Sequence, residues 1–394
     1  MLPTCAEVDT QPSPPAPLRL LLLTDTSILA PGGSERFLRN LAARLPPERY
    51  RITIVQLSQT VRAWSDVALP GAIEHVRMRS LPIAAAYSFR GLRALGRLRT
   101  LLRRERFDIV QSQHEKSDLF NALLPRSGAI HVSNRRDMGF NKTARLRWIS
   151  RFLNHRFDRV IAPSQPILSG LRYSEGIAPG RMVWIPNGVD TGRFRPASAE
   201  ARTAVRAALG MDAQTIVFGC LARLTGVKRH TDLLQAFALL RQHTPHAHLL
   251  LLGDGPLKGE VSAQVDALGL TNAVTLLGDR PDVEQLLPAL DVSVLASSTE
   301  GMSNAILESM ACGLPVIATA VGGNLQLVHD QSNGLLVPPL DPASLATAMQ
   351  VLAGSPATRT QMGLVARERM VREFSLDAMV HSYDRLYASL TGRP

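Results

Sequence analysis

The chain has 394 residues, enough for two or three domains, and its 45% apolar and 20% charged residues exclude a disordered protein. Its net charge of +11 comes from the first half: residues 1–200 carry 30 basic and 16 acidic side chains, net +14, and residues 201–394 carry 14 and 17, net −3. We therefore expect the first half to face an anionic partner, which could be a nucleic acid, a membrane surface or a phosphorylated substrate.

Cysteine usage and hydropathy narrow the protein class further. The three cysteines are an odd number and form no C-x-x-C pair, which excludes a disulfide scaffold and a cysteine-based zinc site. The longest apolar runs are too short to span a bilayer. Residues 1–17 are polar and rich in proline without the pattern of a secretion signal, so we expect a disordered tail on a cytoplasmic protein.

Short apolar runs alternate with amphipathic stretches along the whole chain. Strands are predicted at 18–24, 51–57, 72–78, 108–113, 129–134, 159–164 and 181–186, and, after the turn Pro186-Asn187-Gly188, at 215–221, 248–252, 273–277, 291–296 and 315–319. Helical patterns between the strands predict an α/β fold with doubly wound parallel sheets. We expect two Rossmann-like domains over 18–187 and 188–373, a cleft between them, and a C-terminal helix over 374–394 that crosses back to the first domain.

The loops that follow the strands of the second half are the predicted binding loops, because ligands of open α/β sheets bind at the carboxyl ends of the strands. Gly253 and Gly278 lie in two of these loops, and Arg223 and Lys228 lie in a third. Glycines beside fixed positive charges are typical of a site for a phosphate-bearing ligand.

The segment 298–308, S-T-E-G-M-S-N-A-I-L-E, places two carboxylates around the start of a predicted helix. Ser303 or Asn304 can cap this helix, Glu300 precedes it, and Glu308 lies about one turn inside it. A helix N-terminus attracts a phosphate, and the two carboxylates can accept hydrogen bonds from hydroxyl groups on either side of it, as a sugar nucleotide requires. The alternative is a solvated Glu300 and a Glu308 that only compensates the helix dipole.

Residues 300–324, E-G-M-S-N-A-I-L-E-S-M-A-C-G-L-P-V-I-A-T-A-V-G-G-N, resemble the signature of the family-4 glycosyltransferases, retaining enzymes of the GT-B architecture. The resemblance extends, in the order and spacing of the family, to the segments 31–36, 185–190, 221–228 and 251–256. It implies transfer of a sugar from a UDP- or GDP-sugar to a lipid-linked or polysaccharide acceptor. The similarity is greatest to bacterial enzymes of exopolysaccharide or lipopolysaccharide assembly.

The resemblance also implies a role for each matching residue. Arg223 and Lys228 would neutralise the donor diphosphate, Glu308 would bind the ribose, and Glu300 would hold the donor sugar. His114 matches an active-site histidine near the sugar, with a partly buried loop histidine as the alternative. The other expected donor contacts are Gly32, Gly33, Gly253, Gly278, Gly301, Met302, Ser303 and Asn304. Gln326 departs from the family, which often has a glutamate there, and this puts one hydrogen-bond acceptor in doubt.

Two further groups of side chains have weaker patterns. Arg135 and Arg136 follow a first-domain strand, and we expect them to contact an anionic acceptor, with a surface ion-pair cluster as the alternative. The histidines of H-T-P-H-A-H (243–248) precede a strand and lack supporting carboxylates, so a metal site is not expected there. The chain also has no D-x-D motif, and we expect no metal and no cofactor, because cationic side chains and helix dipoles would stabilise the leaving group.

Two other function classes stay open at this point. A nucleotide-sugar epimerase on the same fold would need an additional acid/base pair, which the sequence does not identify. A non-enzymatic nucleic-acid-binding protein would explain the basic first half, but only 5% of the residues are aromatic and no binding module is recognisable. We expect instead that the predicted helix over 89–106, which carries seven arginines, rests on anionic lipid at the inner face of the cytoplasmic membrane. The alternative is a solvated amphipathic helix that only packs on the sheet.

Overall fold

Two β-sheets form the framework of the protein, and helices bury both faces of each, as their nearly continuous apolar strands require. A computed structural model describes residues 16–29, 32–58, 65–67, 73–83, 89–136 and 144–393. Residues 1–15 of the expected disordered tail lie outside the described residues. The predicted fold class, two Rossmann-like doubly wound parallel sheets facing each other across a cleft, is confirmed.

The first sheet has eight strands in the order β3-β4-β2-β1-β5-β6-β7-β8, and all neighbours are parallel except β3 and β4. Its strands are β1 (Leu18–Thr24), β2 (Tyr50–Ser58), β3 (Ser65–Val67), β4 (Val76–Pro82), β5 (Ile109–Ser112), β6 (Ile130–Asn134), β7 (Arg159–Ala162) and β8 (Met182–Trp184). Its helices are α1 (Gly33–Arg44), α2 (Phe89–Glu105), α3 (Glu115–Leu123), α4 (Ala144–Leu153) and α5 (Gln165–Glu175).

The second sheet has six parallel strands in the order β11-β10-β9-β12-β13-β14. Its strands are β9 (Ile216–Leu221), β10 (Ala247–Leu252), β11 (Val274–Gly278), β12 (Val292–Leu295), β13 (Val316–Thr319) and β14 (Gly334–Val337). The helices of this domain are α6 (Ala199–Ala208), α7 (His230–Arg241), α8 (Lys258–Ala267), α9 (Val283–Leu286), α10 (Asn304–Ala311), α11 (Asn324–Leu327), α12 (Pro342–Gly354) and α13 (Pro356–Glu373).

The C-terminal helix α14 (Leu376–Thr391) returns to the first domain. Its buried side chains pack with α1 and the first sheet, which places α1 and α14 on the same face. The Tyr387 hydroxyl donates to Gln111 Oε1 at 2.8 Å, and Asn134 Nδ2 donates to the Tyr383 hydroxyl at 2.8 Å. These buried hydrogen bonds join the end of the chain to β5 and β6, so the first domain is completed by residues from beyond the second.

The structure corrects several predicted elements. The strand predicted at 72–78 is β4, which begins only at Val76, because a hydrogen bond from Val76 N–H to the Ile73 carbonyl closes a turn before it. The short strand β14 was not predicted, and neither was α6, whose N-cap Ser198 accepts from Ala201 N–H at 3.2 Å. Within the described residues, no helix combines the length and the hydropathy needed to cross a membrane.

Candidate functional site

A cavity of about 640 Å³ lies between the two domains, on the carboxyl side of both sheets. Gly32, Gly33 and Arg36 line it from the start of α1, and Asn304 and Glu308 line it from α10. Much of the remaining wall is formed by the connection at 187–190, by residues 279–281 and by Arg193. Four predicted site residues, two from each domain, therefore come together in one cavity.

The N-terminal ends of α1 and α10 meet at this cavity. Ser303 caps α10, since its hydroxyl accepts from Ile306 N–H at 3.3 Å. A Cβ atom added to Gly33 would lie 2.8 Å from Asn304 Nδ2, so the two domains touch at a position where the glycine has no side chain. Two helix N-termini, each with unpaired N–H groups, thus point their positive ends towards one region of the cleft.

Glu308 is a buried carboxylate that bonds across the cleft. Only 8% of the residue is exposed, and its Oε1 accepts a hydrogen bond from Arg36 Nη1 of the other domain. Burial raises the pKa of the Glu308 carboxyl above its ordinary range, although the positive charges of Arg36 and Arg193 act in the opposite direction. Arg36 was not among the predicted site residues. The signal was its place in P-G-G-S-E-R, one turn after the two glycines.

A second buried carboxylate, Glu300, pairs with Lys228. Lys228 Nζ lies 2.5 Å from Glu300 Oε1, and the same oxygen accepts from the Ser297 hydroxyl at 2.6 Å. The two charged residues follow β9 and β12, neighbouring strands whose carboxyl ends meet at one edge of the sheet. Arg223, in the same loop as Lys228, is exposed to solvent. The structure thus brings the predicted carboxylate and the predicted phosphate ligand together as an ion pair.

Several predicted glycines serve the packing of loops. Gly253 has φ +139°, and a Cβ atom on it would lie 2.2 Å from the Ala222 carbonyl oxygen. A Cβ atom on Gly301 would lie 2.9 Å from the Arg136 carbonyl oxygen in the other domain. By contrast, Gly278, with φ +70°, has nothing within 4 Å of an added Cβ atom. Close approach of backbones explains the glycines at 253 and 301.

Adjacent arginines after β6 have different roles. Arg135 is 7% exposed and forms ion pairs with Asp118 at 2.8 Å and Glu175 at 3.5 Å. These contacts favour the ion-pair alternative over the expected contact between Arg135 and an acceptor, although the cluster is buried and not on the surface.

Arg136 lies at the junction of the domains. Its guanidinium stands 3.8 Å from the centre of the Phe37 ring, and its Nη2 donates to Asn187 Oδ1 at 2.6 Å. Asn187 Nδ2 in turn donates to Asn304 Oδ1 at 3.1 Å, so a chain of hydrogen bonds runs from β6 to the start of α10. Burial lowers the pKa of Arg136 to about 10, which leaves it positively charged at neutral pH.

The structure places three more predicted features. His114 is the N-cap residue of α3, and its Nδ1 atom is buried without a hydrogen-bond partner among the described residues. Gln326 Oε1 accepts from Gln165 N–H at 3.1 Å, so the amide supplies an acceptor between the domains. The ring of His248 bonds to the Thr275 hydroxyl at 2.8 Å. In the part of the chain that is described, no three His, Cys, Asp or Glu residues are grouped as a metal site would require.

Comparison with known proteins gives matches in both domains. Residues 31–193 match a family model described as Glycosyltransferase Family 4, and residues 215–355 match one described as Glycosyl transferases group 1. The chain is 33% identical over 184 residues to the lipopolysaccharide core biosynthesis glycosyltransferase LpsE of Rhizobium meliloti, which covers 47% of this chain and 53% of LpsE. The chain spans about half the length of several curated relatives that it matches.

A longer match and a structural match agree with these. The chain is 27% identical over 311 residues to the UDP-Gal:alpha-D-GlcNAc-diphosphoundecaprenol alpha-1,3-galactosyltransferase of Escherichia coli, covering 76% of this chain and 80% of that protein. The crystal structure of HepE from Anabaena in complex with UDP and glucose has a TM-score of 0.80 and 22% sequence identity, covering 94% of this chain and 100% of that one.

The buried Glu308 carboxylate generates a prediction about stability. Its folded-state pKa is raised, so the ionised form costs stability once the pH exceeds that pKa, and the cost is absent below the ordinary value of 4.5. The variant Glu308→Gln removes the charge at nearly constant size. We expect a melting temperature above that of the wild type at pH 8, and a difference that shrinks as the pH falls through the range of carboxyl titration.

Glu284→Gln is the control, for which we expect the opposite change in melting temperature. A hydrogen bond from Arg193 lowers the pKa of Glu284, so its ionised form stabilises the fold at neutral pH. This variant should melt below the wild type at pH 8, and the loss should fade as the pH falls. A Glu308→Gln variant that is destabilised at pH 8 would contradict the account of this site.

Proposed function

Because the chain belongs to family 4 of the glycosyltransferases, which have the GT-B architecture, we propose that it transfers a sugar from a nucleotide-sugar donor to an acceptor hydroxyl. The donor is a UDP- or GDP-sugar, and the acceptor is a lipid-linked or polysaccharide glycan of the cell surface. One observation carries this proposal: the cleft brings Gly32, Gly33 and Arg36 of one domain against Asn304 and Glu308 of the other. The similarity to LpsE, a glycosyltransferase of lipopolysaccharide core biosynthesis, and to the Escherichia coli galactosyltransferase supports this acceptor class.

The charges around the cleft suggest where each part of the donor lies. We place the diphosphate by Lys228, Arg223 and the N-terminus of α10, the sugar by Glu300, and the ribose by Glu308. When the donor binds, Lys228 leaves the Glu300 carboxylate and contacts a phosphate, and the Ser297 hydroxyl continues to donate its hydrogen bond to Glu300. His114, at the carboxyl end of β5, would position the sugar from the first domain.

The proposed reaction retains the configuration at the anomeric carbon. The bond from this carbon to the phosphate oxygen breaks, and the negative charge that develops on the diphosphate is stabilised by the two cations and the α10 N-terminus. The acceptor oxygen bonds to the same carbon from the same face and passes its proton to the departing phosphate. The products are the glycosylated acceptor and a nucleoside diphosphate.

Neither the epimerase nor the nucleic-acid-binding alternative is favoured by any of the relatives named above.

A substitution of Lys228 tests the diphosphate site. Lys228→Ala should lower kcat by a factor on the order of a hundred or more, because a charge that stabilises the transition state is lost. The assay uses the nucleotide sugar that the wild type turns over best in a panel of UDP- and GDP-sugars. Lys258→Ala is the matched control, since Lys258 is an exposed lysine that pairs only with Asp254 at 2.9 Å among the described residues, and it should retain full activity. Near-normal turnover of Lys228→Ala would show that the phosphate ligand is misassigned.

A chelator tests the proposed independence from metals. The cations Arg223 and Lys228 and the α10 N-terminus supply the positive charge that a divalent ion would otherwise provide. We expect saturating EDTA to leave the initial rate of sugar transfer unchanged. A rate that EDTA abolishes and that added magnesium or manganese restores would contradict this expectation.

The outer helices of the first domain support a proposal about the location of the acceptor. The helices α2 and α3 pack on Leu21 and Val110, and α5 packs on Val160 and Ala162 of the same face, whereas α1 and α14 cover the opposite face. The helices α2 to α5 therefore form one layer whose outer side is turned away from α14.

This layer exposes both arginines and large apolar side chains. A groove of about 680 Å³ on α2 is lined by Arg93, Arg97 and Arg104, among others. Close by on α2, Phe89 is 69% exposed, and on α4 Trp148 is also 69% exposed and stacks on Phe152 with ring centroids 6.4 Å apart. Arginines attract anionic headgroups, and aromatic rings prefer the lipid–water interface. We propose that this layer docks on the inner face of the cytoplasmic membrane, where a lipid-linked acceptor is presented.

Co-sedimentation with lipid vesicles tests this docking. The wild type should bind vesicles that contain anionic lipid, bind neutral vesicles far less, and dissociate at high salt, because salt screens the arginines. Arg93→Glu with Arg97→Glu should abolish binding. Lys258→Glu with Arg372→Glu, which makes the same charge change on exposed residues of the second domain, should not. Equal binding to both vesicle types, or binding by the Arg93/Arg97 variant, would show that these arginines are only a solvated surface.

A further inference from the structure

The ion pair between Arg36 and Glu308 carries an inference that rests on the proposed function. It is a contact between the two domains inside the cavity, and no other partner donates to the Glu308 carboxylate among the described hydrogen bonds. The Arg36 side chain is 42% exposed, whereas that of Glu308 is 10% exposed. A carboxylate buried to this degree needs a compensating cation or donor, and in this structure Arg36 provides it.

Arg36 is positioned to reach more than one anion. Its backbone N–H donates to the Gly32 carbonyl at 3.0 Å, in the first turn of α1, so the side chain starts beside the glycines at the helix N-terminus. Its guanidinium ends at Glu308, on the far side of the cleft. Between these points lies the cavity in which we place the donor. A guanidinium is well suited to move from a carboxylate to a phosphate, because its fork of donors matches both.

The donor ribose and Arg36 compete for the same carboxylate. We propose that Arg36 makes the site selective for phosphorylated ligands: it holds Glu308 while the cleft is empty and moves to the diphosphate when the ribose hydroxyls bind Glu308. A nucleoside without phosphates must displace Arg36 and offers the cation no replacement. When a nucleoside diphosphate binds, Arg36 exchanges the Glu308 carboxylate for a phosphate. The competing contact with Glu308 therefore weakens the binding of the unphosphorylated ligand only.

Nucleoside and nucleoside diphosphate affinities of Arg36→Met test this role. Methionine keeps an apolar stem in the cavity and removes the charge. The probes are uridine and UDP, and guanosine and GDP, titrated by calorimetry or ligand-observed NMR. In the variant the nucleoside should bind more tightly and the diphosphate more weakly. The ratio of the two affinities should fall by about tenfold or more, the usual effect of one charge-assisted hydrogen bond.

Two further variants complete the test. Arg51→Met removes an exposed arginine of the same domain outside the cavity, and its affinity ratio should equal that of the wild type. Arg36→Lys keeps a cation that binds phosphate as a point charge, so its ratio should be intermediate. If Arg36→Met does not fold, the affinity ratio of Arg36→Lys tests the inference.

The results separate failure of the inference from failure of the proposed function. If both affinities of the Arg36 variants fall by the same factor, or if the ratio is unchanged, Arg36 does not select for phosphates and the inference is overturned. The wild type is titrated first with UDP and GDP. Binding of neither would overturn the proposed function itself, and the inference with it.

Discussion

The two chain connections between the domains are hydrogen bonded to each other, and the geometry of the cleft depends on this contact. Val189 N–H donates to the Phe374 carbonyl at 2.8 Å, and Leu376 N–H donates back to the Val189 carbonyl at 2.9 Å. A Cβ atom on Gly188 would lie 2.8 Å from Leu376 Cα, so only glycine allows the connections to run this close. Asn187 is held beside them and links Arg136 to Asn304, which fixes the start of α10 against the first domain.

Two buried ion pairs, one in the cavity and one at the carboxyl ends of β9 and β12, are charges that a domain built only for stability would avoid. Glu300 and Glu308 are each 8% exposed, and each depends on a cation from another element, Lys228 and Arg36. Desolvating such pairs costs a large part of what their attraction returns. Polar ligands such as phosphates and sugar hydroxyls can take over these same hydrogen bonds. Buried charges that lower the stability of a fold are typical of sites that bind polar ligands.

Much of this site could be predicted because parallel strands bring their carboxyl ends to one edge, so that Lys228 and Glu300 meet although 72 residues separate them. The different surroundings of Arg135 and Arg136 could not be predicted. The partners of Arg135, Asp118 and Glu175, come from two separate helices, and Arg136 contacts Phe37 and Asn187. Arg36 could not be predicted as a site residue, because its contact with Glu308 depends on how the two domains face each other. No local sequence pattern encodes that arrangement. The packing role of Gly253 depends on the Ala222 carbonyl of a neighbouring loop in the same domain, which the sequence around Gly253 does not reveal.

A crystal structure of the protein with the nucleoside diphosphate that binds most tightly would test the central claim most directly: that the two domains form one donor site in the cleft. We expect the ribose hydroxyls on the Glu308 carboxylate, the diphosphate between Lys228 and the N-terminus of α10, and the Arg36 guanidinium moved from Glu308 to a phosphate oxygen. A nucleotide bound outside the cavity between the domains, or one that leaves Glu308 without contact to the ribose, would contradict the account.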